Sequence, residues 1–67
     1  MATADLIRDA RLAAGLTQRE LGERLGYADR VAKRMVQSIE YGQRPVPRSR
    51  IKAVAAVLGL TLDELVE

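Results

Sequence analysis

Gly15-Leu16-Thr17-Gln18-Arg19-Glu20-Leu21-Gly22-Glu23-Arg24-Leu25-Gly26 is the stretch that decides the fold. Thr17 followed three residues later by Glu20 spells a capping box, in which the hydroxyl accepts from a free first-turn N–H and the carboxylate reaches back to the cap. Leu21 and Leu25, four apart, share one helix face. Gly15 stops the segment before, and Gly26 ends this one, because glycine adopts the left-handed conformation after a helix without a Cβ clash. A short amphipathic helix is thus bounded by two turns.

Outward from this stretch the same punctuation continues. On the N-terminal side Leu6, Ile7, Ala10, Ala13 and Ala14 recur at helical spacing up to Gly15. On the C-terminal side a third segment runs from Tyr27 to Tyr41, with Asp29 as its expected N-cap. Ala32, Val36 and Ile39 fall on one face, with Val31 and Met35 beside them, so Lys33, Arg34, Gln37 and Ser38 point away from the core. Gly42 stops that helix, and the prolines bracketing Val46 forbid a helix through 43–47, although Pro47 suits the first turn of the next. Arg48 to Leu58 presents Ile51, Val54, Ala55 and Leu58 at i, i+3, i+4, i+7, and Gly59 caps it. Thr61-Leu62-Asp63-Glu64 is a second capping box opening a short fifth helix with Leu62, Leu65 and Val66. No stretch alternates with period two. The expected fold is all-α, a compact bundle of five helices.

With 67 residues the chain is read as a single domain, 1–67. It has no cysteine and no histidine, which removes disulfides, thiolate metal sites and the commonest nucleophile–base pairs. There is no Phe or Trp, so the core is built from aliphatic residues. No apolar run approaches the ~18 residues of a membrane span, and Met1-Ala2-Thr3-Ala4-Asp5 lacks the basic and apolar regions of a signal peptide. A cytoplasmic location is expected. Glu20, Asp29 and Glu64 sit where helix caps and dipoles favour acids, and there is no phosphate-binding glycine loop and no Ser/His/Asp set. The chain is not expected to be an enzyme, nor to bind a cofactor, metal or small-molecule ligand.

The charge is uneven. Between Arg30 and Lys52 seven basic residues stand against Glu40 alone, a net +6 that leaves −4 for the rest of a chain of formal charge +2. A cationic middle is a footprint for a polyanion, although a solvated surface has the same look. An α-helix fits the major groove, and Lys33, Arg34 and Gln37 are long donors suited to base edges. Gln18 opens a helix whose free N–H groups and positive dipole end suit a phosphate. Arg44, Arg48 and Arg50 are placed to follow the flanking backbone.

The stretches Ile7–Arg11, Gly15–Gly26, Val36-Gln37-Ser38-Ile39-Glu40-Tyr41-Gly42-Gln43-Arg44 and Ile51–Leu65 resemble, in order and over nearly the whole chain, the Cro and phage-repressor (XRE) family of helix-turn-helix proteins. The resemblance implies that Gln18 binds phosphate, that Lys33, Arg34, Gln37 and Ser38 face the major groove, and that Tyr41, Gln43 and Arg44 meet phosphates. Arg30 and Arg48, outside what the resemblance implies, are further candidate phosphate contacts. It implies a core of Leu16, Leu21, Leu25, Val36, Ile39, Ile51 and Leu58. Glu40 reads as structural, paired with an arginine near the first helix.

Two departures stand out. About four extra residues, approximately Tyr27-Ala28-Asp29-Arg30, separate the Leu25-Gly26 pair from Ile39-Glu40, which is about one helical turn. Either the third helix starts a turn earlier, with Tyr27 and Arg30 at its DNA-facing tip, or the turn before it is longer, which makes them phosphate contacts or loop. Gly22 stands where the family carries alanine.

The implied function is sequence-specific binding of double-stranded DNA by a Cro-like transcriptional repressor. The family implies a homodimer, weak off DNA, on a palindromic operator, with Leu60, Leu62, Leu65 and Val66 as candidate contact residues, all equally consistent with plain core. Brevity favours Cro, since nothing follows the fifth helix to sense a signal. An antitoxin or a restriction–modification controller acting on its own operon, an excision factor, and a protein-interaction module that has kept the fold remain alternatives.

Overall fold

The computed structural model describes residues 3–65. It contains α1 (Thr3–Ala13), α2 (Gln18–Arg24), α3 (Asp29–Glu40), α4 (Arg48–Leu58) and α5 (Leu62–Leu65), with no strand among the described residues. Both expected capping boxes form. Thr17 N–H donates to Glu20 Oε1 at 2.9 Å while Glu20 N–H donates to Thr17 Oγ1 at 3.0 Å. Thr61 and Glu64 exchange the same bonds at 2.9 and 3.2 Å.

α3 begins at Asp29, not Tyr27, and its N-cap is Ala28, which makes no side-chain cap bond. Asp29 is therefore the first residue of the helix instead of its cap. Its carboxylate is held by Arg19 of α2, with Nε donating at 2.8 Å and Nη2 at 2.6 Å. The stretch Asp29 to Arg34 is helical, so the extra residues lengthen α3 to 12 residues and do not lengthen the turn, which is only 25–28. One full turn keeps Ala32, Val36 and Ile39 in phase, and all three are buried.

The core joins every helix: Ile7 from α1, Leu21 from α2, Ala32, Val36 and Ile39 from α3, Val54 from α4 and Leu65 from α5, with Leu25 from the turn. Leu16, Ile51 and Leu58, expected inside, are only partly buried and pack against this cluster. Ala13 and Ala14 do not extend the apolar face of α1, since both are exposed. The buried face there is Ile7 and Arg11, spaced i, i+4. Leu65, a candidate contact residue from the sequence, is a core residue with 6 % exposure and has no surface to offer a second copy.

Two devices fix α2 and α1 against α3. At the α2–α3 crossing a Cβ on Gly22 would overlap the Ala32 carbonyl oxygen and stand 2.7 Å from Ala32 C and Cα, so the close approach requires glycine. Behind it, Arg11 and Glu40 form a buried, two-pronged pair, Nε to Oε2 at 2.7 Å and Nη2 to Oε1 at 3.2 Å. Arg11 Nη1 also donates to Leu16 O at 2.8 Å, so the pair ties the end of α3 to α1 and to the turn before α2. The partner expected for Glu40 is thus Arg11.

Candidate nucleic-acid interface

The interface follows from the phase of α3. At about 100° per residue, Arg30, Arg34, Gln37 and Tyr41 fall within about 50° of the line opposite the buried Ala32, Val36 and Ile39, and Lys33 and Ser38 flank them. Arg30, Lys33, Arg34 and Tyr41 are exposed, while Gln37 and Ser38 are half-buried. The Ser38 hydroxyl donates to Arg34 O at 3.1 Å, within its own helix. The result is a stripe of long donors on an otherwise unpartnered face, with three positive charges over its first two turns. Because α3 begins at Asp29, Arg30 lies on this stripe one turn before Arg34. Tyr27, by contrast, is not at the tip of the helix. It is half-buried and packed against the core.

Around the stripe, the backbone-binding candidates divide. Gln43, Arg44 and Arg48 are exposed, on the loop after α3 and at the start of α4. The Arg44 guanidinium rests against Met35, Nη1 at 3.6 Å from Sδ. Gln18 is half-buried, and its amide Nε2 donates to Glu40 Oε1 at 3.2 Å. Glu40 therefore does two things: it neutralises Arg11 and it holds the Gln18 side chain at the start of α2. Arg11, Thr17, Gln18, Arg19 and Lys33 line one cleft between the start of α2 and the flank of α3, where Arg11 is already paired with Glu40 and Arg19 with Asp29.

The first turn of α3 carries an acid on the same side. Its charge is countered: the Arg19 guanidinium holds the Asp29 carboxyl below the usual carboxylate range, and Asp29 in turn raises Arg19. The Glu20 and Glu64 carboxyls are also held low, by the N–H and hydroxyl groups of Thr17 and Thr61.

Arg50, expected to follow the DNA backbone, turns inward instead. Its Nη1 donates to Leu25 O at 2.7 Å, and its guanidinium lies 4.0 Å from the centre of the Tyr27 ring. Nothing in the linear pattern separates Arg50 from Arg48, since both lie in the first turn of α4 among the same neighbours. Arg19 was likewise missed as the partner of Asp29, because an (i, i+10) pair appears only once the turn has brought α2 and α3 together.

Of the proposed contact residues for a second copy, Leu62 is 47 % exposed and Leu60 is half-buried against the core. Val66 lies outside the described residues. Among those described, no helix is long and apolar enough to cross a membrane.

The helix-turn-helix family model matches residues 7–65, from Ile7 in α1 to Leu65 in α5. No curated protein and no solved structure matches the chain significantly. The match covers all three elements of the candidate interface, the capped α2, its short turn and the outward stripe of α3. The chain belongs to the helix-turn-helix family of the Cro/XRE type, whose members are sequence-specific DNA-binding regulators of transcription.

Proposed function

We propose that this protein is a Cro-like repressor that occupies a palindromic operator as a homodimer, with α3 of each copy in the major groove. Lys33, Arg34, Gln37 and Ser38 read base edges, the two cations being suited to guanine O6 and N7. Gln18, Arg30, Tyr41, Gln43, Arg44 and Arg48 bind phosphates on either side and set the register of the helix. The observation that carries the reading is the stripe of long donors, Arg30, Lys33, Arg34 and Gln37, on the outer side of α3, away from the buried Ala32, Val36 and Ile39.

One recognition helix covers few base pairs, so two-fold pairing on half-sites about 34–36 Å apart supplies the rest of the specificity. Exposed Leu62, with Leu60 beside it and Val66 beyond, is the contact. Such a small apolar surface makes a dimer that is weak in solution and strengthened on DNA. Repression follows from occupancy: a protein seated across a promoter excludes polymerase.

Selection of bound duplexes from a random pool tests this, followed by titration of the selected and a scrambled duplex across a salt series. A palindrome bound ~10³-fold or more above scrambled DNA is the expected result. Equal binding to every duplex, vanishing with salt, would leave only the phosphate contribution and would overturn the reading.

A further inference from the structure

We propose that Arg50 is a positioning residue that, with Tyr27, clamps α4 to the turn of the helix-turn-helix and fixes the angle at which α3 is presented, and that it is not a phosphate contact. The inference rests on the DNA-binding reading above and concerns how that site keeps its shape. Four observations converge on one spot. The Arg50 guanidinium donates to Leu25 O at 2.7 Å, satisfying a carbonyl at the C-terminal end of α2. The same group stacks on Tyr27 at 4.0 Å, a cation–π contact in a half-buried setting. Gly26 lies directly beneath it: a Cβ there would stand 3.1 Å from Arg50 Nη1. The Tyr27 hydroxyl makes no hydrogen bond to the described residues, while the face of its ring receives the guanidinium.

The chemistry suits a brace. The turn between α2 and α3 has only four residues, and the backbone carbonyls released at the end of α2 need donors. Leu25 O takes its donor from a helix that is distant in sequence, and the positive end of the α2 dipole is not involved, because a cation at the C-terminal end of a helix is the favourable arrangement. Arg50 is anchored in the first turn of α4, whose Ile51 and Val54 pack on the core. The brace therefore ties the turn, and with it the start of α3 at Asp29, to the rest of the bundle. The planar guanidinium is needed for both contacts at once, and a lysine ammonium supplies a charge without the fork or the stacking plane.

The test compares Arg50→Lys, Tyr27→Leu and Tyr27→Phe with Arg48→Gln, each titrated against the selected and the scrambled duplex over a salt series, well below its melting temperature. Arg50→Lys and Tyr27→Leu are expected to weaken binding to the selected duplex ~10-fold or more, with scrambled binding and the salt slope unchanged. Tyr27→Phe keeps the ring face and is expected to bind as the parent. Arg48→Gln is expected to weaken both duplexes alike and to lower the salt slope by about 0.9.

If Arg50→Lys binds as the parent does, or if its only effect is a lower melting temperature with the selected-to-scrambled ratio intact, the positioning role is overturned. A fall in the salt slope for Tyr27→Leu or Arg50→Lys would likewise overturn it in favour of a phosphate contact. Should the parent chain discriminate no duplex at all, the DNA reading fails separately. Amide exchange then decides the clamp: faster exchange at Tyr27 and Ala32, whose N–H groups donate to Gly22 O and Ala28 O, upholds it in Arg50→Lys, and unchanged exchange removes it.

Discussion

Gly22→Ala opposes helix propensity to packing, and the structure says which wins. Gly22 is interior to α2, so alanine should favour the helix by about 1 kcal/mol. The added methyl, however, would overlap the carbonyl oxygen of Ala32 and stand 2.7 Å from its C and Cα, where ordinary contact begins at 3.4 Å. The obstacle is backbone, held by the Ala32 N–H bond to Ala28 O at 3.0 Å and by neighbours in the core, so no side chain can swing aside. α2 and α3 must separate at their crossing, and forcing a methylene into a close-packed site costs about 1–3 kcal/mol, here at the upper end. The net is a loss of about 2 kcal/mol, which for a domain of this size lowers the melting temperature by about 10 °C. Thermal and urea unfolding of both proteins measures it. A variant melting at or above the parent temperature would show that the crossing has slack and would refute the argument that glycine is required there.

Four further outcomes follow from the same structure. Glu40→Ala strands Arg11, whose side chain is only 10 % exposed, and should cost about 3–5 kcal/mol in urea unfolding, while exposed Asp9→Ala should cost almost nothing. Leu65→Ala should cost about 2–5 kcal/mol independently of protein concentration, as core and not interface; a loss that disappears on dilution would return Leu65 to the dimer contact. Replacing Arg34 and Gln37 together with alanine should abolish selection of the operator while leaving salt-sensitive binding to scrambled DNA, read by titration of the two duplexes. For pH, the folded carboxyls of Glu20, Asp29 and Glu64 are held below their ordinary values, which lie at 4.5, 3.8 and 4.5. Their contribution is therefore present above those values and lost as pH falls through the lower folded ones. The melting temperature should hold on the neutral side and fall as pH drops below about 4, and a rise on acidification would contradict the assignment.

What was legible in the sequence was local. A capping box is written within four residues, and both formed. The apolar phase of α3 is written within eight, and it placed Lys33 and Arg34 on the outer face. What was not legible depends on residues brought together by the turn. Arg48 and Arg50 are the same residue type two positions apart, yet one is exposed and the other is spent on Leu25 O and Tyr27; only the direction of α4 distinguishes them. Leu65 looked like an exposed contact residue because a four-residue helix has no second apolar turn from which to judge its phase.

Asp29 does not cap α3, although local preference favours it there and alanine is a poor cap. The phase of α3 is set from the other side, by Ala32 lying against Gly22. Counting back one turn from Ala32 reaches Ala28, whose carbonyl accepts the Ala32 N–H and so opens the helix whatever side chain it carries. The crossing thus overrides the cap. Asp29, moved to the first helical position, keeps the dipole advantage of an acid there and gains Arg19 as a partner. The cost of a cap without a side-chain acceptor is about 1 kcal/mol, comparable with the helix propensity that Gly22 forgoes. Ala28→Ser should recover that amount: serine at this position has the extended backbone a cap requires, φ −61° and ψ 144°, and its hydroxyl can accept from a free N–H of the first turn. A gain of about 4–8 °C in melting temperature is the expected result, and no gain would mean that the N–H groups at the start of α3 are already satisfied.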